Sequence, residues 1–418
     1  MRTRGPVPLT TAVVGVGALF LPALTVEAFG AVSVAGWLVH LPAGLLLVLA
    51  LAPHAGPSSG GPAGLTGAAF GAPAAAAVRW WYLIGVTVGQ AVVAAVGGAF
   101  VAQAVGRPTV TLPAALLILV LAAGLGAVRA EVPVRWSRLA LPVTVGCAAL
   151  AVRPADLAPV ADGGWPRTAA LVVFAFVGWE ATLRLDRPRT RTVVAAVLLV
   201  GLVYLGGVLL ALAEVPQPPR PIAAAGAAVC VLACVRNLSA TAGLFAGDRP
   251  PGTRAYAAVV AGTVAAVGVV LLATRHTDLF DLLSVPAAMG LAVFASTAAA
   301  AAVLGTGARR IAGAVAALIY VSILPFAGPA GIAPLVVLAA CTVAHLRGGS
   351  HAVDQSRFIR RLSRRCRGRS RDRVRDPGSA TALDAARDHP GDAAGAGLVP
   401  GLRRSGRGRD RRTDAGAG

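Results

Sequence analysis

A dozen runs of about twenty apolar residues, following one another with few charges inside them, limit what this chain can fold into more than any motif does. They fall at 9–30, 32–52, 78–105, 110–128, 134–152, 168–185, 193–213, 221–246, 256–273, 282–304, 309–325 and 328–346. Each is close to the ~20 residues that cross ~30 Å of hydrocarbon. Backbone groups cannot go unpaired in lipid, so runs of this kind form helices. Composition agrees: 56% of the 418 residues are hydrophobic, 13% are charged and the mean hydropathy is +0.73, leaving too little polar surface to coat a water-soluble globule. The predicted fold class is all-α, a polytopic membrane protein with about twelve transmembrane helices. The run from Leu9 to Gly30 follows Arg2 and Arg4 and leads directly into the next. A cleaved signal peptide has a shorter core and a small-residue cleavage site, so this run is expected to be a retained first span.

Arginine placement orients the spans. With the N-terminus cytoplasmic, fourteen arginines fall on inner loops and flanks, at 2, 4, 79, 129, 135, 138, 184, 187, 189, 191, 249, 254, 309 and 310. Five fall outside, at 107, 153, 167, 220 and 275. That asymmetry obeys the positive-inside rule, and an even number of spans keeps both termini cytoplasmic. The chain has no Lys and is dominated by Ala, Gly, Val and Pro, as a GC-rich bacterial coding sequence would be, so the expected location is a bacterial cytoplasmic membrane. The net charge of +20 divides evenly, with twenty Arg against ten acids through Leu346 and eighteen against eight beyond it. In the membrane domain the excess is mostly the topology signal, and it does not imply an acidic substrate.

From Arg347 to Gly418 the chain loses hydrophobic periodicity and becomes rich in Arg, Gly, Asp, Ala and Ser. Such a composition buries too little apolar surface to offset chain entropy, so 347–418 is expected to be a disordered cytoplasmic tail attached to a transporter domain at 1–346. Its segment Ser356–Cys366 sets Phe358, Ile359 and Leu362 among arginines. It is either a juxtamembrane helix lying on anionic lipid or a solvated charge run. Nucleic acid is not expected as a partner of a tail tethered to the membrane. The five cysteines, 147, 230, 234, 341 and 366, form no C-x-x-C pair and mostly sit inside apolar runs. They read as small buried hydrophobes, and no disulfide, metal or cofactor is expected.

Two of the spans carry short breaks, Gly15-Val16-Gly17-Ala18 in the first and Phe174-Ala175-Phe176-Val177-Gly178-Trp179-Glu180 in the sixth. Corresponding interruptions in two halves of a polytopic protein point to a transporter's binding site. Gly15 through Leu24, with Pro22 a few residues after the G-x-G, resembles the first helix of the amino acid–polyamine–organocation (APC) superfamily of permeases. Pro57-Ser58-Ser59-Gly60-Gly61, continuing to Ala69-Phe70-Gly71, resembles that superfamily's loop before the third helix, and Phe174 through Ala181 resembles its sixth-helix signature. The marks occur in the family's order over most of the membrane domain. Among subfamilies the chain is most similar to the bacterial methionine and branched-chain amino acid exporter, partly through Cys230-Val-Leu-Ala-Cys234-Val-Arg236-Asn-Leu-Ser239.

The resemblance implies a 5+5 inverted repeat, about 9–152 and 168–304, followed by two further helices at 309–346, with helices 1 and 6 unwound at mid-membrane. It implies a substrate carboxylate on backbone amides around Val16, Gly17 and Ala18, beside Gly15. The ammonium would meet carbonyls near Val14, Phe174 and Phe176, with Gly178 in the second break. Phe174 falls where relatives carry an aromatic that closes over the substrate, although a core Phe explains it equally well. Glu180 falls where relatives have a Glu implicated in proton-linked gating; a salt bridge to an inner-loop Arg is the alternative. Arg236 either replaces a cation that sodium-coupled relatives hold between helices 1 and 8, or snorkels to the cytoplasmic surface. Three features depart from the family: Val16 stands where Ser or Thr is common, the fifth span has no Lys, and the loop from Gly247 to Arg254 is short.

The expected function is secondary active transport, export of neutral aliphatic amino acids by alternating access, with a proton or an exchanged amino acid as the coupling partner. The alternatives are an uptake permease and, in another class, a membrane sensor that keeps the permease fold without transport. An enzyme is not expected, because no cluster of His, Asp or Cys has spacing suited to chemistry.

Overall fold

The computed structural model describes residues 9–10, 13–56, 59–128, 164–185, 188–213, 219–246 and 252–347. The expected fifth span at 134–152, Pro57 and Ser58 of the loop motif, most of the short loop from Gly247, and the tail beyond Arg347 with its Ser356–Cys366 segment lie outside these residues. The chain divides into units at 1–354 and 355–418, the second wholly outside the described residues.

Regular structure among the described residues is helical throughout. The helices are α1 (Gly17–Phe29), α2 (Ser33–Leu51), the short α3 (Gly61–Phe70), α4 (Ala72–Val105), α5 (Thr111–Ala127), α6 (Gly164–Phe176), α7 (Thr190–Leu212), α8 (Arg220–Ala246), α9 (Gly252–Ala273), α10 (Leu279–Leu304), α11 (Gly307–Ile323) and α12 over 333–347. Eight stretches among the described residues are long and apolar enough to cross a membrane. Their outward faces are apolar: Val120, Leu198, Leu202 and Leu318 are each more than 65% exposed. An exterior of this kind suits hydrocarbon and not water.

Two of the eight stretches, Gly17–His54 with 38 residues and Gly307–Arg347 with 41, are too long for one crossing. Both fold back. The Trp37 indole Nε1–H donates to Thr25 Oγ1 at 3.0 Å, although the two residues are twelve apart in sequence. A continuous helix would separate them by roughly 18 Å. The reversal lies at Gly30, whose φ of 62° lies in the left-handed region that favours glycine. Gly328 has nearly the same backbone, with φ 68°. Beyond it, Leu338 and Thr342 line one groove with Ser296 of α10, which an α12 continuing in the direction of α11 could not reach. The sequence boundaries at 30/32 and 325/328 therefore coincide with real turns.

α4 starts six residues before its expected beginning and, at 34 residues, is the helix against which α3, α5, α8, α9 and α10 all pack. Small residues allow this. A Cβ on Gly97 would lie 2.9 Å from Cys230 Cβ of α8, and one on Gly85 would lie 3.0 Å from Met289 Cβ of α10. At the far side of the bundle, Arg254 ties three helices together: Nε donates to Gly126 O of α5 at 3.2 Å, and Nη2 donates to Ser239 Oγ of α8 at 2.8 Å. At the ends of α6 and α10, Arg167 faces Asp281 at 3.8 Å.

Close packing of α2 on α6 sets the stability of the region around the second break. A Cβ on Gly36 would lie 2.7 Å from Thr168 Cβ and 2.8 Å from Ala169 N, whereas one on Gly206 of α7 meets nothing within 4 Å. Gly36→Ala is expected to destabilise the purified protein by about 1–3 kcal/mol through overpacking. Gly206→Ala should be neutral or stabilising by up to about 1 kcal/mol. Thermal unfolding in detergent, compared between the two variants, checks both signs.

Candidate functional site at two helix breaks

The first and sixth spans are each interrupted beside a glycine, Gly15 in one and Gly178 in the other. Ahead of α1, Leu9, Thr10 and Val13 are helical, and Val14, Gly15 and Val16 leave the helix before it restarts at Gly17. Bonds of two kinds cross the gap: Val14 N–H reaches back to Thr10 O at 2.7 Å, and Ala18 N–H reaches Gly15 O at 3.1 Å. α1 begins with no side-chain cap at Val16, so its first-turn amides, which carry the positive end of the helix, face the gap without a side-chain acceptor. Pro22 further loosens this helix by removing a backbone donor.

In the sixth span α6 stops at Phe176. Gly178, with φ 134° and ψ −18°, turns the chain out of helical geometry into a 3₁₀ segment at Trp179–Arg184. The Gly178 N–H that loses its helical acceptor donates instead to Glu180 Oε2 at 2.8 Å. Glu180 thus caps the break from two residues downstream. The segment after this break is latched to the loop motif: Gly56 N–H and Ser59 Oγ both donate to Leu183 O, each at 3.0 Å.

One side chain joins the two breaks. The Tyr204 hydroxyl of α7 lies 3.1 Å from Val13 O and 2.7 Å from Ala175 O, donating its proton between the two carbonyls. Tyr204 is fully buried. In a dry interior each freed carbonyl needs a donor, and here a single phenol serves a carbonyl from each broken span. Gly17 completes the approach, since a Cβ there would lie 3.0 Å from Ala175 Cα.

The expected site residues separate into those that line an open space and those that are core. Gly15, Phe174, Val177 and Glu180 are half-buried, while Val14, Val16, Gly17, Ala18, Phe176 and Gly178 are buried. A Cβ on Gly15 has Val13 O as its nearest neighbour, at 3.9 Å. Open space therefore lies at Gly15, whereas the space beside Gly17 is filled by α6. The Phe174 ring lies across α4, with Cε2 2.7 Å from the position of a Cβ on Gly89, and near Pro286 of α10. Phe176 points the other way. Its ring sits in a buried aromatic cluster with Trp37 at 5.9 Å, His40 at 5.0 Å and Tyr204 at 5.1 Å.

Arg236 is not brought to this site. It lies on an exposed face of α8, a helix packed on α4, α5 and α9. Ser239, one turn further on, is level with the start of α9 through Arg254. Arg236 itself is ten residues short of the helix end at Ala246. Its outward-facing placement gives it no place as a brace for α1.

Tyr204 and His40 are the residues that the sequence reading passed over. Each carried a signal, because a polar group inside an apolar span needs a partner, but the partners are backbone carbonyls of other helices. Among the described residues, no group of three or more His, Cys, Asp or Glu is placed to hold a metal ion. Compared with protein-family models and with curated proteins, the sequence gives no match.

Removing the Tyr204 hydroxyl while keeping its ring leaves two buried carbonyls short of a donor. Tyr204→Phe is expected to cost about 1–3 kcal/mol. Chemical or thermal unfolding in detergent measures it, and a change below roughly 0.5 kcal/mol would show that the breaks are not held through this phenol.

Proposed function

We propose that the chain is a secondary active transporter that exports neutral aliphatic amino acids from a bacterial cytoplasm by alternating access. In this reading it has twelve spans with both termini inside, and a 5+5 inverted repeat of the APC fold. The observation that carries the proposal is the meeting of two broken helices at the Tyr204 hydroxyl. Discontinuous helices at mid-membrane offer what an α-amino acid needs: amides at a half-helix start for the carboxylate and freed carbonyls for the ammonium. The amides of Val16, Gly17 and Ala18 and the carbonyls of Val14, Phe174 and Phe176 take these roles. Val14, Val16, Phe174 and Val177 give the surroundings an apolar character suited to an uncharged side chain.

Glu180 acts as the gate element of this proposal. Its carboxylate holds the Gly178 amide, and the loop at Gly56 and Ser59 holds Leu183. Together they fix the inner half of the sixth span, and releasing them opens the path to the cytoplasm. Both turns at Gly30 and Gly328 support the count of spans, and the arginine asymmetry of the loops supports the orientation.

Flux of radiolabelled leucine, isoleucine, valine and methionine into reconstituted vesicles, with arginine and glutamate as charged controls, tests the proposal. The neutral substrates are expected to move and the charged ones to be excluded. No flux of any amino acid would leave the sensor reading in its place. Intracellular accumulation in a deletion strain fed dipeptides gives the direction: an exporter's loss raises it. Gly15→Leu should abolish flux while stability stays within about 1 kcal/mol, because space is available for the side chain. Gly17→Leu should lose stability as well, by collision with Ala175. Normal flux in Gly15→Leu would remove the substrate from the first break.

A further inference from the structure

A second polar cluster lies behind the Phe176 ring, on the side away from the open space. His40 of α2 is fully buried, stacks on Phe176 with ring centroids 5.0 Å apart, and lies 6.1 Å from the Tyr320 ring of α11. Its Nε2 is 2.6 Å from Ala169 O of α6. A carbonyl can only accept, so Nε2 carries a hydrogen and Nδ1 is the nitrogen free to change its protonation. Nδ1 has no hydrogen-bond partner among the described residues; neither has the Tyr320 hydroxyl or the Trp179 indole N–H. All three side chains are buried completely. Trp179 lies one turn along the same face of α2, its Nε1 2.7 Å from where a Cβ on Gly44 would be. Buried polar atoms are almost always satisfied, and three orphans around one ring beside a helix break mark a functional arrangement more than a packing one.

We infer that His40 Nδ1 is the binding site of the proton coupled to transport, with Tyr320 as its hydrogen-bond partner. The inference rests on the transporter reading above. A proton from the aqueous phase bonds to Nδ1 and gives an imidazolium whose Nε2–H stays on Ala169 O and whose Nδ1–H donates to the Tyr320 oxygen. The same proton leaves from Nδ1 to the opposite phase, and the neutral ring is restored. The groups facing this site are Tyr320 from α11, Tyr204 from α7 across Phe176, and Glu180 of the 3₁₀ segment, which acts electrostatically on Tyr320. α10 contributes the apolar Phe294, 5.2 Å from Tyr320, and the nearest charges on α6 and α10 are Arg167 and Asp281 at their ends. With the Glu180 carboxylate engaged by Gly178, an imidazolium sealed among these rings would bury a charge against carbonyls and hydroxyls alone. The closed arrangement therefore belongs with the neutral ring, and proton exchange belongs with parting of α2, α6 and α11. Since α6 carries both the His40 acceptor and the substrate break, the two events share one moving element.

The experiment uses the full chain, reconstituted for flux and purified in detergent for titration. In vesicles, a pH gradient is expected to raise wild-type leucine flux at least fivefold; in His40→Gln this stimulation should vanish. Undiminished stimulation in His40→Gln overturns the assignment. Tyr320→Phe keeps the ring and removes the hydroxyl, so it should move the midpoint of the pH–flux profile by at least half a pH unit. An unmoved midpoint overturns the partnership even where His40→Gln fails to fold. Potentiometric titration between pH 8 and pH 3 is independent of any substrate, and His40→Gln should take up about one proton per chain fewer than wild type. Equal uptake overturns the site. One proton fewer in a protein that carries no amino acid would instead overturn the transport reading and leave the proton site standing.

Discussion

A helix can be interrupted inside a bilayer only where protein supplies partners for the backbone it frees, and the phenol of Tyr204 is that partner for both interruptions in this chain. The rest of the central geometry follows from that requirement. Carbonyls from the first and sixth spans must converge on one hydroxyl, so α1 and α6 come close enough for Gly17 to touch Ala175. α7 must pass behind both, and Gly207 of α7 allows it by lying against Pro22 of α1. Trp37 then fills the space between α2 and α7, stacking on Tyr204 at 5.1 Å and donating to Thr25.

The second break is stabilised differently from the first. At Gly178 the freed amide is taken by a carboxylate from the same segment, and the carbonyl at Leu183 is taken by a loop amide and a serine hydroxyl. Gly56, Ser59 and Glu180 are half-buried, while Tyr204 is fully buried. The two breaks therefore differ in how their freed backbone is satisfied, one by a buried phenol from another helix and one by groups of its own segment and a loop. The aromatic cluster of Trp37, His40, Phe176, Tyr204 and Tyr320 links α2, α6, α7 and α11 through ring contacts.

Much of this was legible in the sequence. Apolar runs fix where helices lie because lipid leaves the backbone no alternative, and the glycines at 15, 17 and 178 announce both breaks before any coordinates are known. The turns near 30 and 328 were readable for the same reason, since glycine is the residue that the left-handed conformation favours. Arg236 was readable only as a pair of alternatives. Its exposure depends on which face α8 turns toward α4, α5 and α9, and that is a matter of contacts between helices.

The sequence by itself determined the helical, apolar character of the protein, the approximate extent of its long helices, and the two positions where they break. These depend on local chemistry: hydropathy over twenty residues, and the backbone freedom of single glycines. Only the tertiary structure decided what each break faces. That Gly17 is a packing notch and Gly15 opens onto space, that Phe174 turns toward α4 while Phe176 turns into the core, and that Tyr204 and His40 spend their polar atoms on carbonyls of other helices all follow from contacts between residues up to 191 positions apart. Backbone carbonyls carry no side-chain identity, so a site built from them leaves no residue type in the sequence to mark it.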